Sequence, residues 1–340
     1  MSVIIIAEAG VNHNGDIELA KKLIDAASAA NADYVKFQTF KAKHLASKDA
    51  EKSDYQKLNT KNNDSQYSML KSLELKKADH QKLIDYCNSK EIKFLSSAFD
   101  LDSLDFLLSL STNLIKIPSG EIDNYCYLEK ISHQSTPVVL STGMSTMNEI
   151  ESAIKILTSN NLSINDITVM HCNTEYPTPM NDVNLKAMLT IKEYFNVRVG
   201  YSDHTLGIEV PIAAAALGAQ VIEKHFTLDR SQKGPDHACS LEPLELKNMI
   251  RAIRNIEIAC SGNGMKEPTM SELKNKFIVR KSLYLNKDIK KGAKISKDML
   301  TALRPGDGIS PIEIPNLIGR TLNKNLKIHT KITYEDFEEK

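Results

Sequence analysis

The stretch from Arg198 to His225, RVGYSDHTLGIEVPIAAAALGAQVIEKH, decides the fold because it holds one complete repeating unit. It begins with a short apolar run that ends in a polar residue, Arg198–Ser202, and it closes with a second such run, Val221–His225. Between the two runs, Pro211–Ala219 is predicted to be helical, with the proline tolerated in the first turn. Apolar runs that do not alternate with polar residues are typical of strands buried on both faces of a parallel sheet.

Six further runs of the same kind precede this stretch: Val3–Glu8, Tyr34–Thr39, Lys93–Ser97, Leu114–Ser119, Pro137–Ser141 and Ile167–His171. Patterns of helical spacing, including Ile17–Ala30 and Met147–Thr158, lie between the runs. Eight strand-then-helix units predict an α/β fold of the TIM (β/α)8 barrel type. A doubly wound parallel sheet is the structural alternative, but eight units with a polar residue at every strand end favour the barrel.

The texture of the sequence changes after the eighth unit. We predict a barrel over residues 1–261, a polar, glycine-containing linker over 262–280, and a second, small β-rich domain over 281–340. A domain this small is marginal alone and is expected to dock on another surface. Within the barrel, the Lys-, Asn- and Ser-rich residues 41–75 predict a long, mobile loop on the catalytic face, since loops of this length are usually functional or disordered.

The composition excludes several classes of protein. The 340 residues carry 43 Lys+Arg and 43 Asp+Glu, which argues against a protein that coats nucleic acid. No apolar run reaches the length of a membrane helix, and MSVIIIAEAG lacks the basic start of a signal peptide. Five cysteines without CxxC spacing predict reduced thiols and a cytoplasmic location. The formal net charge is zero over the whole chain, but it is −6 over residues 1–261 and +6 over residues 262–340.

The polar residues that end the strands are the candidates for chemistry, because a barrel carries its active site at the C-terminal ends of its strands. Lys36 and Lys116 lie inside strand-like runs, where two ammonium groups need a bound phosphate or carboxylate. The alternative is pairing with Glu8 or Glu121. Hydroxyl donors that could complete an anion site also end strands: Ser97, Ser119, Ser141 and Ser202.

His204 and His225 end consecutive strands, so their imidazoles could share one metal ion. No third histidine stands at ligand spacing, which favours an open site that acts as a Lewis acid over a closed structural zinc site. The alternative is that they are hydrogen-bonded core histidines. Glu8 and Glu121 could act as acid and base or could hold sugar hydroxyls, and Asp236 is either a substrate contact or a turn former. Four other histidines are expected on the surface: His44, His80, His133 and His329.

Longer motifs resemble those of the sialic acid synthase family with its C-terminal antifreeze-like (SAF) domain. They occur in the family's order over nearly the whole chain. They are AEAGVNHNG (7–15), VKFQTF (35–40), IKIPSGE (115–121), LSTGM (140–144), HCNTEYPTP (171–179), GYSDHT (200–205), EKHFTLD (223–229), GPDH (234–237), RKS (280–282), KDIKKG (287–292) and RPGDGI (304–309).

The resemblance implies a metal-dependent condensation of phosphoenolpyruvate with an N-acylated mannosamine-type sugar, releasing phosphate. It implies that Glu8, Glu121 and Lys116 act near the reacting carbons, and that His204 and His225 hold a divalent metal, Mn2+ first and Mg2+ or Co2+ otherwise. It also implies a domain-swapped homodimer in which the partner's Arg304 reaches the sugar. The phosphoenolpyruvate-binding residues would be Lys36, Ser97, Lys116, Ser119, Ser141 and Ser202. The remaining sugar-binding residues would be Gln38, Thr174, Tyr176 and Asp236.

Two departures from the family pattern lie on the sugar side. Some members have HCTN where this chain has HCNT, so that Thr174 stands at the place of a sugar-binding Asn, and VKFQTF replaces VKHQTH. The first expected acceptor is N-acetylmannosamine, which makes the chain an N-acetylneuraminate synthase. The alternative is a legionaminate synthase that uses 2,4-diacetamido-2,4,6-trideoxymannose. More distant alternatives are a metal-dependent pyruvate aldolase, which releases no phosphate, and a non-enzymatic binding module.

Overall fold

A computed structural model describes residues 2–60, 64–110 and 112–339. They divide into two compact units, Met1–Ser261 and Gly262–Lys340. In the first unit, eight parallel strands close into a barrel in sequence order. The strands are β1 (Ile4–Gly10), β2 (Tyr34–Thr39), β3 (Lys93–Ala98), β4 (Ile115–Ile117), β5 (Val138–Ser141), β6 (Ile167–Cys172), β7 (Arg198–Asp203) and β8 (Val221–His225).

Helices follow every strand, which confirms the predicted TIM barrel rather than the doubly wound sheet. The eight crossover helices pack apolar faces against the strands and form one continuous core with them. The helices of this unit are α1 (Ile17–Ala29), α2 (Ala42–Leu45), α3 (Asp54–Thr60), α4 (Gln66–Leu73), α5 (Lys77–Ser89), α6 (Leu101–Ser109), α7 (Tyr125–Ser132), α8 (Met147–Leu157), α9 (Lys186–Phe195), α10 (Glu209–Ala216) and α11 (Pro243–Ala259).

Strand register sets which side chains meet at the mouth of the barrel. Glu8 stands opposite Lys36 on β2 and opposite His225 on β8. Because side chains alternate between the two faces of a strand, residues two apart on β8 face the same side. Glu223 and His225 therefore share the inner face, while Lys224 points to the outer face.

The segment between β2 and α5, residues 41–75, is not the irregular loop that its composition predicts. Its described residues hold three short helices, α2, α3 and α4, and residues 61–63 lie outside the description. Its two ends are joined by Glu74, whose carboxylate accepts from Ala42 N at 2.9 Å and from Lys41 Nζ at 3.2 Å. The described residues of the segment, 41–60 and 64–75, thus hold helices and have their two ends joined, and we call them the lid.

The second unit has its own apolar core, built around Leu283, Leu300, Leu317 and Phe337. Its antiparallel strands are β9 (Ser282–Leu285) and β10 (Leu300–Leu303), followed by α13 (Ile314–Leu317). The residues predicted as a linker, 262–280, are not wholly irregular, because they hold the helix α12 (Met270–Val279). No helix among the described residues of either unit is long and apolar enough to span a membrane.

Candidate active site

A cavity of about 320 Å3 opens at the C-terminal ends of the barrel strands. That volume is within the range of small-molecule sites. Twelve of the fifteen residues that the sequence nominates line it, since strand ends that are far apart in sequence converge there. They are Glu8, Lys36, Gln38, Lys116, Ser119, Ser141, Thr174, Tyr176, Ser202, His204, His225 and Asp236.

The floor of the cavity is a set of buried charges centred on Lys36. Its Nζ lies 2.9 Å from Glu8 Oε2 and 3.6 Å from Glu223 Oε2, and it donates to Ser97 Oγ at 3.1 Å. Burial lowers the pKa of Lys36, but the two carboxylates outweigh it and raise the pKa above the usual value. Burial raises the pKa of Glu8 to about 7, even though Lys36 opposes the shift. The structure thus contains the pairing of Lys36 with Glu8 that the sequence offered as the alternative to a bound anion, and Glu121 is not its partner.

Lys116 is the second cation of the floor. Its Nζ donates to Ser141 Oγ at 2.7 Å and lies 3.8 Å from Glu223 Oε1. Burial lowers the pKa of Lys116 and the charge of Lys36 adds to the effect, while Glu223 opposes it. The floor thus sets two buried lysines against Glu223, whose pKa is lowered, and Glu8, whose pKa is about 7.

Glu223 is the carboxylate of the floor whose pKa is lowered, and it was not among the residues predicted from the sequence. Burial raises its pKa, but Lys116 and Lys36 outweigh that effect and lower it overall. Ser202 Oγ donates to its Oε1 at 3.1 Å, so the carboxylate joins β7 and β8 to both lysines. The signal was available in the motif EKH, because the residue two places before an inward-facing His225 must also face inward.

The two predicted metal ligands stand side by side beyond the floor. The ring centroids of His204 and His225 are 5.5 Å apart. Burial lowers the pKa of His204 to about 4, and burial with the neighbouring His204 lowers the pKa of His225 well below its usual value. Both rings are therefore neutral, which is the form that binds a metal.

The hydrogen bonds of these rings also suit a metal. His204 Nδ1 donates to the Asn173 carbonyl oxygen at 2.5 Å, which leaves its Nε2 free as a ligand. His225 Nδ1 is buried and has no hydrogen-bond partner among the described residues. Within the described ranges, no three or more His, Cys, Asp or Glu side chains are grouped so that they could hold a metal ion together. The donor set thus fits an open two-histidine site with positions left for other ligands.

A buried ion pair behind the floor fixes the chain around His204. Lys224 Nζ donates at 2.5 Å both to Asp203 Oδ2 and to the Thr205 carbonyl oxygen. Asp203 in turn accepts from Thr205 N at 3.1 Å and from Thr205 Oγ1 at 3.0 Å. Because Asp203 and Thr205 flank His204, this pair holds the backbone that carries the imidazole.

Aromatic and polar side chains form the side of the cavity away from the floor. Tyr176 lies 4.1 Å from His204 between ring centroids, and Tyr55 of the lid stacks on Tyr176 at 5.0 Å. Burial raises the pKa of Asp236 to about 6, and its Oδ2 lies 3.9 Å from His225 Nδ1. Gln38 Nε2 donates to Glu8 Oε1 at 3.3 Å, which connects this side to the floor.

Three nominated residues lie outside the cavity lining. Ser97 is buried behind Lys36. Glu121 is turned away in a short 3-10 helix, where its carboxylate accepts from Asn124 at 2.7 Å, so the structure does not place it at the cavity. Arg304 belongs to the second unit, where it is exposed and its Nε donates to the Val279 carbonyl oxygen at 3.0 Å.

One histidine expected on the surface is instead buried. His80 Nε2 lies 2.8 Å from Thr39 Oγ1, and its Nδ1 lies 3.0 Å from the Lys76 carbonyl oxygen. Thr39 lies two residues before the lid and Lys76 immediately follows it. His80 therefore ties together the two chain ends from which the lid extends.

The chain is similar to known proteins along most of its length. The model of the NeuB family matches residues 23–266, and the model of the SAF domain matches residues 280–338. An N,N'-diacetyllegionaminic acid synthase of Campylobacter jejuni is 52% identical over 95% of this chain and 97% of its own length. The enzyme of the same description from Legionella pneumophila is 49% identical over 99% of this chain and 95% of its own length.

A similar solved structure is that of the N-acetylneuraminic acid (sialic acid) synthetase from Leptospira borgpetersenii in complex with citrate. It is 33% identical, has a TM-score of 0.70, and the match covers 81% of this chain and 90% of that chain.

Proposed function

The chain belongs to the NeuB family and is an enzyme of the nonulosonic acid synthase class, and we propose that it makes a legionaminate-type nine-carbon 2-keto acid. The substrates are phosphoenolpyruvate and open-chain 2,4-diacetamido-2,4,6-trideoxymannose. A carbon–carbon bond forms between C3 of phosphoenolpyruvate and C1 of the sugar. Water adds at C2, and phosphate leaves by cleavage of the C2–O bond.

The observation that carries this proposal is the charge of the floor beneath two neutral imidazoles. Lys36 and Lys116 lie against Glu223 and a Glu8 carboxyl whose pKa is about 7, so an anion bound there would meet two amino groups and would favour their charged form. Ser141 and Ser202 add hydroxyl groups at the same depth. Phosphoenolpyruvate carries a compact phosphate and a carboxylate, which match two separated ammonium groups.

The residues of this chain divide the work between holding and proton transfer. Lys36 and Lys116 bind the anionic groups, and Glu223 holds both ammonium groups in place. The Glu8 carboxyl can take or give a proton at its Oε2 near neutral pH, because its pKa is close to 7. His204 and His225 would hold a divalent cation, which when bound polarises the aldehyde oxygen of the sugar.

Sequence similarity favours 2,4-diacetamido-2,4,6-trideoxymannose over N-acetylmannosamine as the acceptor. The legionaminic acid synthases are 49% and 52% identical to this chain, whereas the sialic acid synthetase is 33% identical. Of the departed positions, Thr174 and Phe40 line the cavity, whereas Phe37 is buried in the core of the barrel. The proposal therefore places 2,4-diacetamido-2,4,6-trideoxymannose ahead of N-acetylmannosamine.

A phosphate-release assay tests the proposal. Phosphoenolpyruvate is offered with N-acetylmannosamine, its 6-phosphate, or 2,4-diacetamido-2,4,6-trideoxymannose, each with added Mn2+. We expect the highest kcat/KM with the diacetamido sugar, and the Lys116→Met variant should lose most of it while the exposed-residue variant Lys155→Met does not. Faster turnover of N-acetylmannosamine would overturn the acceptor. Product formation from pyruvate in place of phosphoenolpyruvate would favour the aldolase alternative.

We further propose a homodimer in which the partner's Arg304 completes the sugar site. Helix α12 supports an assembly, because its Met270, Phe277 and Ile278 are 82%, 61% and 65% exposed. Mixing Arg304→Ala chains with Lys116→Ala chains should restore one working site per mixed dimer. Mixtures that stay inactive although mass spectrometry shows mixed dimers would contradict the role of Arg304.

A further inference from the structure

The lid crosses the cavity mouth and is attached on its far side. It leaves the barrel after β2, yet its Tyr55 stacks on Tyr176, which follows β6. Asn59 Nδ2 donates to the Pro235 carbonyl oxygen at 2.6 Å, on the loop after β8. Helix α3 has no buried residue of its own, so these contacts, rather than a core, hold it across the mouth.

The inner face of the lid is apolar, in contrast to the rest of the cavity. Met69 and Leu73 of α4 pack with Val11 and Phe40 in a small cluster of their own. Leu45, Leu70 and Phe99 pack on this cluster while remaining partly exposed, and all seven side chains line the cavity. This apolar wall stands above β1, β2 and β3. Tyr176 and His204 follow β6 and β7, across the barrel from β2 and β3, and His225 ends β8.

Among the described residues of the lid, those that line the cavity carry no charge, and the polar ones are Tyr55, Gln56 and Gln66. A hydroxyl or phosphate held against Leu45, Leu70 and Phe99 would lose hydrogen bonds to water that these three side chains cannot replace, whereas a methyl group would be favoured there. The wall therefore distinguishes sugars by what they carry at the end remote from the aldehyde.

We propose that the apolar wall, formed by Leu45, Leu70 and Phe99 over the α4 cluster, selects the acceptor by receiving the methyl group at C6 of a 6-deoxy sugar. The inference rests on the proposed function, since it assumes that the acceptor aldehyde faces His204 and His225. It makes the lid, rather than the floor, the specificity-determining element of the enzyme.

The test changes the polarity of the wall while keeping the number and branching of the side-chain heavy atoms. Leu70→Asn places an amide at the wall, and Leu58→Asn makes the same change on an exposed residue of the lid that does not line the cavity. For Leu70→Asn we expect kcat/KM with the 6-deoxy sugar to fall about 10-fold, the effect of one lost apolar contact. With N-acetylmannosamine it should stay constant or rise, and the KM for phosphoenolpyruvate should stay constant. Leu58→Asn should behave as the wild type.

The decisive quantity is the ratio of kcat/KM for the two sugars. An equal loss with both sugars in a folded Leu70→Asn protein, or an equal shift of the ratio in Leu58→Asn, would overturn the proposal. If thermal unfolding shows that Leu70→Asn is unfolded, Leu45→Asn replaces it with the same expected shift.

The proposed function can fail separately. If the wild type releases no phosphate with any sugar, the reaction is wrong, and calorimetric binding of the two sugars to the wild type and to Leu70→Asn still tests the wall. If the wild type and Leu70→Asn each bind the two sugars with equal affinity, the selection by the apolar wall is rejected.

Discussion

The floor of the cavity and its lid are built in opposite ways. The floor consists of side chains on strand ends, where Lys36, Lys116, Glu8 and Glu223 are buried within ion-pair distance of one another. The lid consists of short helices that carry apolar residues toward the cavity and hold on by Tyr55, Asn59 and the Glu74 carboxylate. In such a site the residues that carry out the reaction lie on rigid strand ends, and the residues that select the acceptor lie on a segment that can change independently.

Loss of one of the two cavity imidazoles should have the largest effect on kcat/KM. His225→Ala is expected to lower kcat/KM at least about 10³-fold with every acceptor, because an open two-histidine site retains only one protein ligand. Metal-free enzyme prepared with a chelator should lose activity and regain it with Mn2+. His133→Ala, on an exposed histidine, is the control. Full activity in excess chelator would reject the metal assignment.

Removal of the missed carboxylate should have the next largest effect. Glu223→Gln keeps the shape of the side chain but leaves two buried ammonium groups without their common counter-charge. We expect kcat/KM to fall about 10²-fold, comparable with the loss of one preorganised electrostatic group, and the ratio between acceptors to stay constant. Glu193→Gln, on an exposed helix position, is the control. A change in the ratio of kcat/KM for the two sugars would show that the floor also takes part in acceptor selection.

Most of the floor, although not Glu223, could be predicted from the sequence, and the lid could not. Regular strand spacing places Lys36, Lys116 and His225 at one mouth, and the bounds of β2 and β8 match the predicted runs. Glu121 lies away from the cavity lining because the chain turns immediately after β4 and its carboxylate accepts from Asn124, and its catalytic role stays a prediction. Tyr55 carried no local signal, since its role depends on a stack with a residue more than a hundred positions away.

Displacement of the lid should give a smaller and more selective effect. Gly15 has a φ of +76°, and a Cβ there would lie 2.6 Å from the backbone oxygen of Ser72, next to the end of α4. Gly15→Ala is therefore expected to move the lid, raising the KM for the sugar about 10-fold while the KM for phosphoenolpyruvate stays constant. Gly292→Ala controls for backbone strain alone, because its φ is +84° and nothing lies within 4 Å. An equal rise in both KM values would contradict the division.

Acid should loosen the lid by the smallest of these amounts. Burial lowers the pKa of His80 below its unfolded value of about 6.5. The unfolded chain therefore takes up this proton first, and the stability that the neutral ring contributes is lost as the pH falls below 6.5, by at most about 1.4 kcal/mol per pH unit. Urea unfolding of the wild type and of His80→Gln from pH 7 to pH 5 measures the difference. A variant whose pH dependence parallels the wild type would show that His80 does not contribute.

The closed ends of the lid have an evolutionary consequence. Because Glu74 and His80 join the chain before and after the lid, the intervening residues can change in length and sequence without altering the strand register beneath them. Relatives that use different sugars could then have diverged by exchange of this one segment over an unchanged catalytic floor. A chimera that carries the corresponding segment of a sialic acid synthase should fold as the parent does and inherit the donor's acceptor preference.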